Sequence, residues 1–348
     1  MRLENLPVYQ NKMFDTAEAA RDCLLGDVVL AEDETTGLVS NIAFDPEKLD
    51  YDESYQNEQA HSSVFQSHLA EVLSIIGQHF RSKSILEIGC GKGAFIEQML
   101  HVGYNARGVD PAYEGDAPYI IKSAFEGYLG LHSGAIVMRH VLEHIPQPLA
   151  FLGKVREANA NQGLIYIEVP CFDWILNNRV CFDVFYEHVN YFRLSDFDRI
   201  FGKVLDSGHL FGNQYLYVVA DLASLQNPIK TSSYTTADVP QDFFASIDNC
   251  LASSTGEKQR VVWGGAAKGV MFSTHAMAKG PSLDFVIDIN PAKQGKFLAA
   301  SGLKVLSPEE GLAQLHPGAD IFVMNSNYLP EIQAMAGLGY NYISADRT

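Results

Sequence analysis

Short apolar runs alternate with amphipathic stretches through the middle of the chain, and this pattern predicts the order of its secondary structure. Strands are predicted at 84–88, 105–109, 135–139 and 163–169, with a late pair near 202–206 and 214–220. Apolar residues at helical spacing occupy the intervals between them. Strands that alternate with helices are typical of a mainly parallel sheet. The sequence therefore predicts an α/β domain over residues 76–222.

The residues that precede this domain have a weaker pattern. Apolar runs at 28–30 and 38–39 surround a polar turn, and apolar residues at helical spacing follow from Val64 to Leu73. We interpret residues 1–75 as a small separate N-terminal domain. Its aromatic and amide-rich run at 49–59 is either a lid over the central domain or a solvated connector.

The clearest motif of the chain is a glycine-rich turn after the strand at 84–88. Glycines occupy positions 89, 91 and 93, and a helical pattern then includes Phe95. Glycine is required in such a turn where a ligand approaches the backbone closely. The next predicted strand ends at Asp110, and an acid at that place can accept hydrogen bonds from both hydroxyls of a ribose. The motif therefore predicts a cofactor that contains a nucleoside.

Glu87 decides which cofactor is expected. Dinucleotide-binding turns space their glycines Gly-x-Gly-x-x-Gly and place the pyrophosphate at a helix N-terminus. Here the motif is Glu-x-Gly-x-Gly-x-Gly, and a carboxylate repels a pyrophosphate but suits an amino group and a sulfonium. It resembles motif I of class I S-adenosylmethionine (SAM)-dependent methyltransferases, with Asp110 as the ribose acid. SAM is therefore the expected cofactor, and a dehydrogenase is the least favoured alternative.

Composition narrows the class of protein further. Hydrophobic residues make up 47% of the 348 residues, and the net charge of −17 argues against a nucleic-acid partner. The N-terminus lacks an apolar signal region, and no apolar run reaches the roughly 20 residues of a membrane span. The five cysteines include no Cys-x-x-Cys pair. We expect a cytoplasmic enzyme that acts on a small molecule, without a membrane partner.

The C-terminal part of the chain repeats the strand–turn–helix pattern. Residues 223–240 are polar and turn-rich, which predicts a linker. Strands follow at 260–263, 283–288 and 320–324, so residues 241–348 are predicted to form a second, smaller α/β domain. The turn after its first strand contains Gly265 and Lys268. It either binds phosphates of the substrate through backbone N–H groups and the lysine, or only shapes the domain.

The three-part arrangement resembles the sugar C-methyltransferase family. The segments that carry the resemblance are 84–95, 140–144, 186–192, 263–269 and 288–296. It implies a class I SAM methyltransferase domain with a small N-terminal domain and a second Rossmann-like domain at the C-terminus. It also implies that the enzyme methylates a carbon next to the ketone of a nucleotide sugar, for deoxysugar biosynthesis.

Two departures from the family pattern stand out. Members usually begin with a zinc domain built on Cys-x-x-Cys pairs, but here Asp33 and Thr36 occupy a place where one pair is expected. Cys23 alone cannot complete a site that needs four ligands, so we expect the metal to be lost. The usual Tyr-x-Glu-His motif also differs, because Phe185 takes the place of its tyrosine and Tyr186 stands beside it.

Chemistry at carbon requires a base and groups that stabilise an enolate. We predict His188 as the base, His144 and Tyr186 as contacts of the enolate oxygen or of substrate hydroxyls, and Glu187 as the residue that orients a histidine. The alternative is that His188 and His144 only stabilise their loops. The predicted cofactor-binding residues are Glu87, Gly89, Gly91, Gly93, Asp110, Phe125 and Arg139. The predicted substrate-binding residues are Lys268, Gly265 and Tyr191.

Two other functions remain open from the sequence. The same histidines would serve an O- or N-methyltransferase that acts on a sugar or a natural-product intermediate. A module that binds SAM or a nucleotide without catalysis is the alternative from a different class, and Phe185 together with the missing cysteines favours it.

Overall fold

A computed structural model describes most of the chain. The described residues are 1–49, 62–81, 83–126, 132–226, 233–280 and 282–347. The predicted lid at 49–59 lies outside the described residues except for Leu49, and so do positions 227–232 of the predicted linker. Among the described helices, none combines the length and the apolar character needed to cross a membrane.

The N-terminal region is a small antiparallel sheet. Its elements are β1 (Arg2–Pro7), α1 (Ala17–Arg21), β2 (Leu25–Asp33) and β3 (Val39–Asn41). In the turn between β2 and β3, Asp33 Oδ1 accepts hydrogen bonds from the N–H groups of Thr35 and Thr36 and from the Thr36 hydroxyl. A side-chain-closed turn thus takes the place where the family pattern expects zinc ligands.

The central region is the predicted α/β domain. It begins with α2 (Ser63–His79), which spans the predicted boundary at residue 75 and packs its apolar face into the core of the central sheet. The elements that follow are β4 (Ile85–Ile88), α3 (Ala94–His101), β5 (Ala106–Val109), β6 (Ile120–Ile121), β7 (Ala135–Arg139), α4 (Pro148–Ala158), β8 (Leu164–Pro170), α5 (Phe172–Asn177), β9 (Asn190–Tyr191), α6 (Leu194–Ile200), β10 (Val204–Leu210) and β11 (Tyr215–Asp221).

Seven of these strands form the central sheet in the order β10-β11-β8-β7-β4-β5-β6. All neighbouring pairs are parallel except the two that involve β11. The chain order reverses at β4, which pairs with β5 on one side and β7 on the other. Ligands of open α/β sheets bind at such a switch point, beyond the carboxyl ends of the strands. The glycine turn after β4 and the segment after β7 both lie there.

The C-terminal region is a second α/β unit. Its elements are β12 (Tyr234–Thr236), α7 (Ala245–Ser253), β13 (Arg260–Trp263), α8 (Ala267–Ala278), β14 (Phe285–Ile287), β15 (Val305–Leu306), α9 (Pro308–Gln314), β16 (Asp320–Val323), α10 (Leu329–Ala336) and β17 (Asn341–Ser344). Except for β12, its strands form a parallel sheet in the order β15-β14-β13-β16-β17. This domain therefore has its own switch point at β13.

The segment between β8 and α6 is folded and buried. It contains α5, a 3₁₀ helix at Cys181–Asp183 and β9, and residues 180–192 are all buried. β9 pairs antiparallel with β3 of the N-terminal sheet, and β12 pairs with β2. The N-terminal sheet is therefore completed by strands from two later parts of the chain. Helix α6 begins at Leu194, and the Arg193 N–H at its N-terminus donates to Asp196 Oδ2.

Candidate active site

The glycine turn after β4 has the backbone that a bound cofactor requires. Gly89, Gly91 and Gly93 have φ angles of 75°, 55° and 87°, in the left-handed region that favours glycine. Gly91 N–H donates to Asp110 Oδ2 at 2.7 Å, and Ala112 N–H donates to Oδ1 at 2.8 Å. The Asp110 carboxylate is thereby fixed at the end of β5, beside the turn. A Cβ built on Gly91 would meet no atom of the described residues within 4 Å, so these residues leave space open in front of it.

Glu87 places a buried carboxylate just before the turn. Its side chain is 2% exposed, and Oε2 has no hydrogen-bond partner among the described residues. Burial raises the pKa of Glu87 to about 7, although Arg139, whose Nη1 lies 3.9 Å from Oε1, opposes this shift. A cationic ligand group would relieve the cost of ionising such a carboxyl. The amino and sulfonium groups of SAM fit this buried carboxylate, and the Asp110 carboxylate fits its ribose.

Arg139 and Phe125, two further predicted cofactor-binding residues, contact other parts of the protein. The Arg139 guanidinium stacks over the Phe95 ring at 4.5 Å and lies 3.7 Å from Glu168, so its contacts are with the protein interior. Phe125 is half-buried and meets Phe151 edge to face at 6.0 Å between centroids. Arg139 therefore holds Glu87 and Glu168 in place, and Phe125 stays a predicted cofactor-binding residue.

The segment after β7 brings further charged groups to the same sheet edge. His140 has a φ of 52°, a left-handed conformation that costs a histidine about 1–2 kcal/mol. Its Nδ1 lies 3.4 Å from Glu143 Oε1, and its Nε2 lies 3.1 Å from Glu168 Oε1. A 3₁₀ helix follows at Leu142–His144.

Two imidazoles meet where this segment contacts the 185–191 loop. The rings of His144 and His188 lie 5.0 Å apart, edge to face. His144 Nδ1 donates to the Glu187 carbonyl oxygen at 2.9 Å, which fixes the tautomer and leaves Nε2 as the acceptor of the neutral ring. Asn190 joins the two segments because its Nδ2 donates to the carbonyl oxygens of Leu142 and Ile145.

The environment of the pair favours uncharged rings. His188 is 8% exposed, and its ring packs on Phe185 with centroids 3.9 Å apart. Burial holds the pKa of His188 well below its ordinary range, and any positive charge on the neighbouring His144, His140 and Lys268 lowers it further. Burial also lowers the pKa of His144. A neutral buried imidazole at the carboxyl edge of the sheet can accept a proton from a substrate.

Comparison with known proteins identifies the family. A family model described as a methyltransferase domain matches residues 57–204, and one described as a C-methyltransferase C-terminal domain matches residues 237–335. The chain belongs to the SAM-dependent C-methyltransferases. SAM is accordingly its cofactor, and the expected class I methyltransferase fold is confirmed.

Individual relatives of this C-methyltransferase are distant. C-methyltransferase NovU of Streptomyces niveus is 24% identical over 286 residues, which cover 71% of this chain and 67% of that protein. A SAM-dependent methyltransferase from Archaeoglobus fulgidus has 17% identity and a TM-score of 0.38, over 46% of this chain and 95% of that chain. A 1,6-didemethyltoxoflavin-N1-methyltransferase from Burkholderia thailandensis has 14% identity and a TM-score of 0.36, over 46% and 80%.

Tyr186 of the C-methyltransferase is not placed for the predicted contact with an enolate. Its hydroxyl accepts from the Asp45 N–H at 2.9 Å and donates to the Asp45 carbonyl oxygen at 3.3 Å. Its ring lies against Phe44 and so close to Gly26 that a Cβ there would be 2.3 Å from it. Tyr186 thus binds the loop to the N-terminal domain, and we withdraw its catalytic assignment.

Phe185 and Tyr191 both support the buried histidine. The Phe185 ring lies on His188, so an apolar face occupies the place where the family pattern has a tyrosine. The Tyr191 hydroxyl accepts from the Phe185 N–H and donates to its carbonyl oxygen, each at 3.2 Å. Because the Tyr191 hydroxyl both accepts and donates a hydrogen bond within the loop, we assign it a structural role. The prediction that it binds substrate is not retained.

Glu187 is fully buried and faces the C-terminal domain. Its charge acts on Lys293, where it opposes the fall in pKa that burial causes. Its carbonyl oxygen, by accepting from His144, provides the orientation of a histidine that the sequence predicted for its side chain. Glu187 therefore positions His144 through the backbone.

The predicted phosphate-binding groups of the C-terminal turn already have partners within the protein. Gly265 N–H donates to Asp288 Oδ2 at 2.6 Å. The Lys268 ammonium lies 3.0 Å from Asp183 Oδ2, donates to Gln214 Oε1 at 2.9 Å, and packs over the Trp174 ring. A carboxylate at the turn repels phosphate, so we do not retain the prediction that Gly265 and Lys268 bind substrate phosphates.

Three functional candidates were missed from the sequence. Glu143 is 1% exposed, and a carboxylate oxygen of Glu143, a nitrogen of His144 and a nitrogen of His188 lie within 4.8 Å of one another, a spacing that can hold a metal ion. Glu168 is fully buried and receives a hydrogen bond from Tyr166 and contacts from His68 and His140. Glu168 lies near the end of the predicted strand 163–169, and His140 directly follows the predicted strand 135–139. Their positions at the carboxyl ends of these strands could therefore have indicated a functional role.

Proposed function

We propose that this C-methyltransferase acts on a carbon next to the ketone of a nucleotide sugar, with His188 as the general base. The observation that carries the proposal is the buried, uncharged pair His144–His188 at the carboxyl edge of the central sheet. The resemblance to sugar C-methyltransferases supports the class of substrate, and the matched C-terminal family model supports transfer to carbon.

The residues that hold the cofactor in this proposal are the glycine turn, Glu87 and Asp110. When bound there, SAM supplies an electrophilic methyl group. His188 accepts the proton from the carbon next to the ketone, which turns that carbon into a nucleophile. The Phe185 ring packs against the imidazole of His188, and burial lowers the pKa of this imidazole so that it is uncharged at neutral pH.

His144 has a narrower role than the sequence suggested. Because its Nδ1 donates to the Glu187 carbonyl oxygen, Nε2 of the neutral ring accepts hydrogen bonds rather than donating them. We therefore assign His144 to a substrate hydroxyl and not to the enolate oxygen.

A cytoplasmic location remains a prediction. The five cysteines are unpaired, which is usual in a reducing compartment.

The proposal is tested with His188→Gln, assayed with SAM and a 4-keto nucleotide sugar. General-base catalysis contributes about 10²–10⁴-fold, so turnover should fall by at least a hundredfold while the dissociation constant of SAM changes little. His101→Gln, at the exposed end of α3, is the matched control and should behave as the wild type. Turnover of His188→Gln within about threefold of the wild type would remove His188 as the base.

Analysis of the product separates carbon from oxygen or nitrogen as the acceptor. With SAM labelled with ¹³C in the methyl group, we expect a product carbon signal in the C–CH₃ range that survives acid hydrolysis of the glycoside. A signal in the O–CH₃ or N–CH₃ range would favour the O- or N-methyltransferase alternative.

A further inference from the structure

Glu143 is a buried carboxylate that the proposed reaction does not use. It is 1% exposed, and neither of its carboxylate oxygens has a hydrogen-bond partner among the described residues. His140 Nδ1 lies 3.4 Å from Oε1, which is longer than an ordinary N–H···O hydrogen bond. A buried carboxylate that lacks hydrogen bonds is costly, and a bound cation compensates this cost. Glu143 is therefore a candidate ligand of a positive ion.

Two imidazoles lie beside this carboxylate. One carboxylate oxygen of Glu143, one ring nitrogen of His144 and one ring nitrogen of His188 lie within 4.8 Å of one another. Zinc–nitrogen and zinc–oxygen bonds are roughly 2.0–2.2 Å long, so an ion at the centre of the three atoms would draw each of them inward by less than about 1 Å. The three groups are thus already close to the spacing of a metal site.

Hydrogen bonds to the backbone hold the two segments that carry these groups. The Val189 N–H donates to the Glu143 carbonyl oxygen at 2.8 Å, and His144 Nδ1 donates to the Glu187 carbonyl oxygen at 2.9 Å. Metal-binding histidines usually donate their second ring N–H to a carbonyl or a carboxylate, which orients the other nitrogen towards the ion. His144 makes this contact, so Nε2 is the nitrogen that we expect to bind the ion.

The types of ligand atom select the class of ion. Two imidazoles and one carboxylate suit Zn²⁺ and the neighbouring divalent transition metals, whereas Mg²⁺ and Ca²⁺ prefer oxygen ligands throughout. Three protein ligands also leave the fourth position of a tetrahedral site to water. The site therefore fits a transition-metal ion better than Mg²⁺ or Ca²⁺.

We propose that Glu143, His144 and His188 bind a divalent transition-metal ion such as Zn²⁺, and that the bound ion blocks methyl transfer. A neutral imidazole has a single basic nitrogen, so the ion and the substrate proton compete for the same lone pair of His188. The binding of the ion is a property of the free protein and is measured without substrate. The block rests on the proposed function of His188 as the base.

Isothermal titration calorimetry of the full chain with Zn²⁺, without SAM or substrate, tests the site. Glu143→Gln and His188→Gln should each raise the dissociation constant at least about tenfold, because each removes one of three protein ligands. His101→Gln removes an exposed imidazole, and Cys23→Ser removes the one cysteine that is not buried; both should bind Zn²⁺ as the wild type does. Mg²⁺ should bind at least about a hundredfold more weakly than Zn²⁺. Equal affinity for Zn²⁺ in the wild type and in both ligand variants would overturn the inference.

The absorption spectrum with Co²⁺ tests the same site in the wild type and does not depend on the folding of a variant. Bound by nitrogen and oxygen, Co²⁺ should show visible d–d bands that Zn²⁺ abolishes by displacing it. A near-ultraviolet charge-transfer band of a cobalt–thiolate bond would assign the ion to a cysteine and overturn the site.

Kinetics with SAM and a 4-keto nucleotide sugar then test the block. In saturating Zn²⁺, turnover should fall at least about a hundredfold, as for the loss of a general base, and EDTA should restore it. The midpoint of the inhibition should agree with the dissociation constant from calorimetry. Absence of binding would overturn the inference and leave the proposed function as it stands. Binding that depends on Glu143 and His188 but leaves turnover unchanged would support the site and remove His188 as the base.

Discussion

Each of the two α/β domains contains a glycine turn that donates a hydrogen bond to an acid at the end of the next strand, but the surroundings of the two turns differ. In the central domain, Gly91 N–H donates to Asp110 at the end of the next strand, at 2.7 Å. In the C-terminal domain, Gly265 N–H donates to Asp288 at the corresponding place, at 2.6 Å. Each acid also accepts from the N–H group two residues later, at 2.8 Å in both cases. The hydrogen bonds between turn and acid are therefore shared, although Gly91 has a left-handed backbone and Gly265 does not.

The surroundings of the two turns differ. Open space faces Gly91, whereas a Cβ on Gly265 would lie 3.3 Å from Asp288 and from Val286. In the central domain, the buried acid Glu87 lies two residues before the first glycine of the turn. Its Oε2 has no hydrogen-bond partner among the described residues. At the second turn, the cation Lys268 is paired with Asp183 and Gln214. Of these two turns, we therefore expect the one that is open and follows a buried acid to bind the ligand.

The strongest test of this difference exchanges the two acids for their amides. Asp110→Asn removes the carboxylate that we expect to accept hydrogen bonds from the ribose hydroxyls. SAM affinity should therefore fall by about 10–100-fold, as for the loss of one or two hydrogen bonds to a charged group. Asp288→Asn makes the same change in the second turn and should alter SAM affinity by less than about threefold. Isothermal titration calorimetry measures both. Equal losses in the two variants would contradict the assignment of the cofactor to the first turn.

A second prediction concerns the buried acid that only the first turn has. Because burial raises the pKa of Glu87 from 4.5 to about 7, the folded state binds the proton more tightly than the unfolded state. Stability without cofactor should therefore decrease as pH rises from about 4.5 to about 7. Glu87→Gln removes this loss and should stabilise the free protein at pH 8 by about 1–3 kcal/mol, while SAM binding weakens. Urea unfolding at pH 5 and pH 8 measures the effect; a variant that is less stable at pH 8 would contradict it.

The smallest expected effect is that of replacing one glycine of each turn by alanine, which adds a methyl group. Gly91→Ala places alanine at a φ of 55°, which should cost about 1 kcal/mol of stability and weaken SAM binding, since the Cβ enters the open space. The backbone of Gly265 is not left-handed, so Gly265→Ala should leave SAM binding unchanged and lower stability less. Thermal unfolding with and without SAM compares the pair, and a larger loss of SAM binding in Gly265→Ala would reverse the comparison.

The sequence predicts much of this architecture because its signals are local. The strands β4, β5, β7 and β8 lie within one residue of their predicted bounds, since each is a short and mostly apolar segment of the chain. The turn at 89–93 and Asp110 are recognisable from spacing alone. The cofactor of this turn could be predicted because a carboxylate at Glu87 repels a pyrophosphate and suits the amino and sulfonium groups of SAM.

The roles in the 185–191 loop could not be predicted in the same way. Tyr186 and Tyr191 have the residue type of a catalytic group, but their hydroxyls bind the backbones of Asp45 and Phe185. The partner of Tyr186 is distant in the chain, so only the tertiary structure shows that its hydroxyl is engaged. β9 was missed for the same reason, because its pairing partner β3 belongs to another domain.

The most direct test of the central claim is a crystal structure with S-adenosylhomocysteine. We expect ligand density over the Gly89–Gly93 turn, with the ribose hydroxyls on Asp110, the amino group towards Glu87, and the sulfur facing the His144–His188 pair. Density at the Gly265–Asp288 turn instead, or a sulfur that faces away from His188 on the opposite side of the domain, would contradict it.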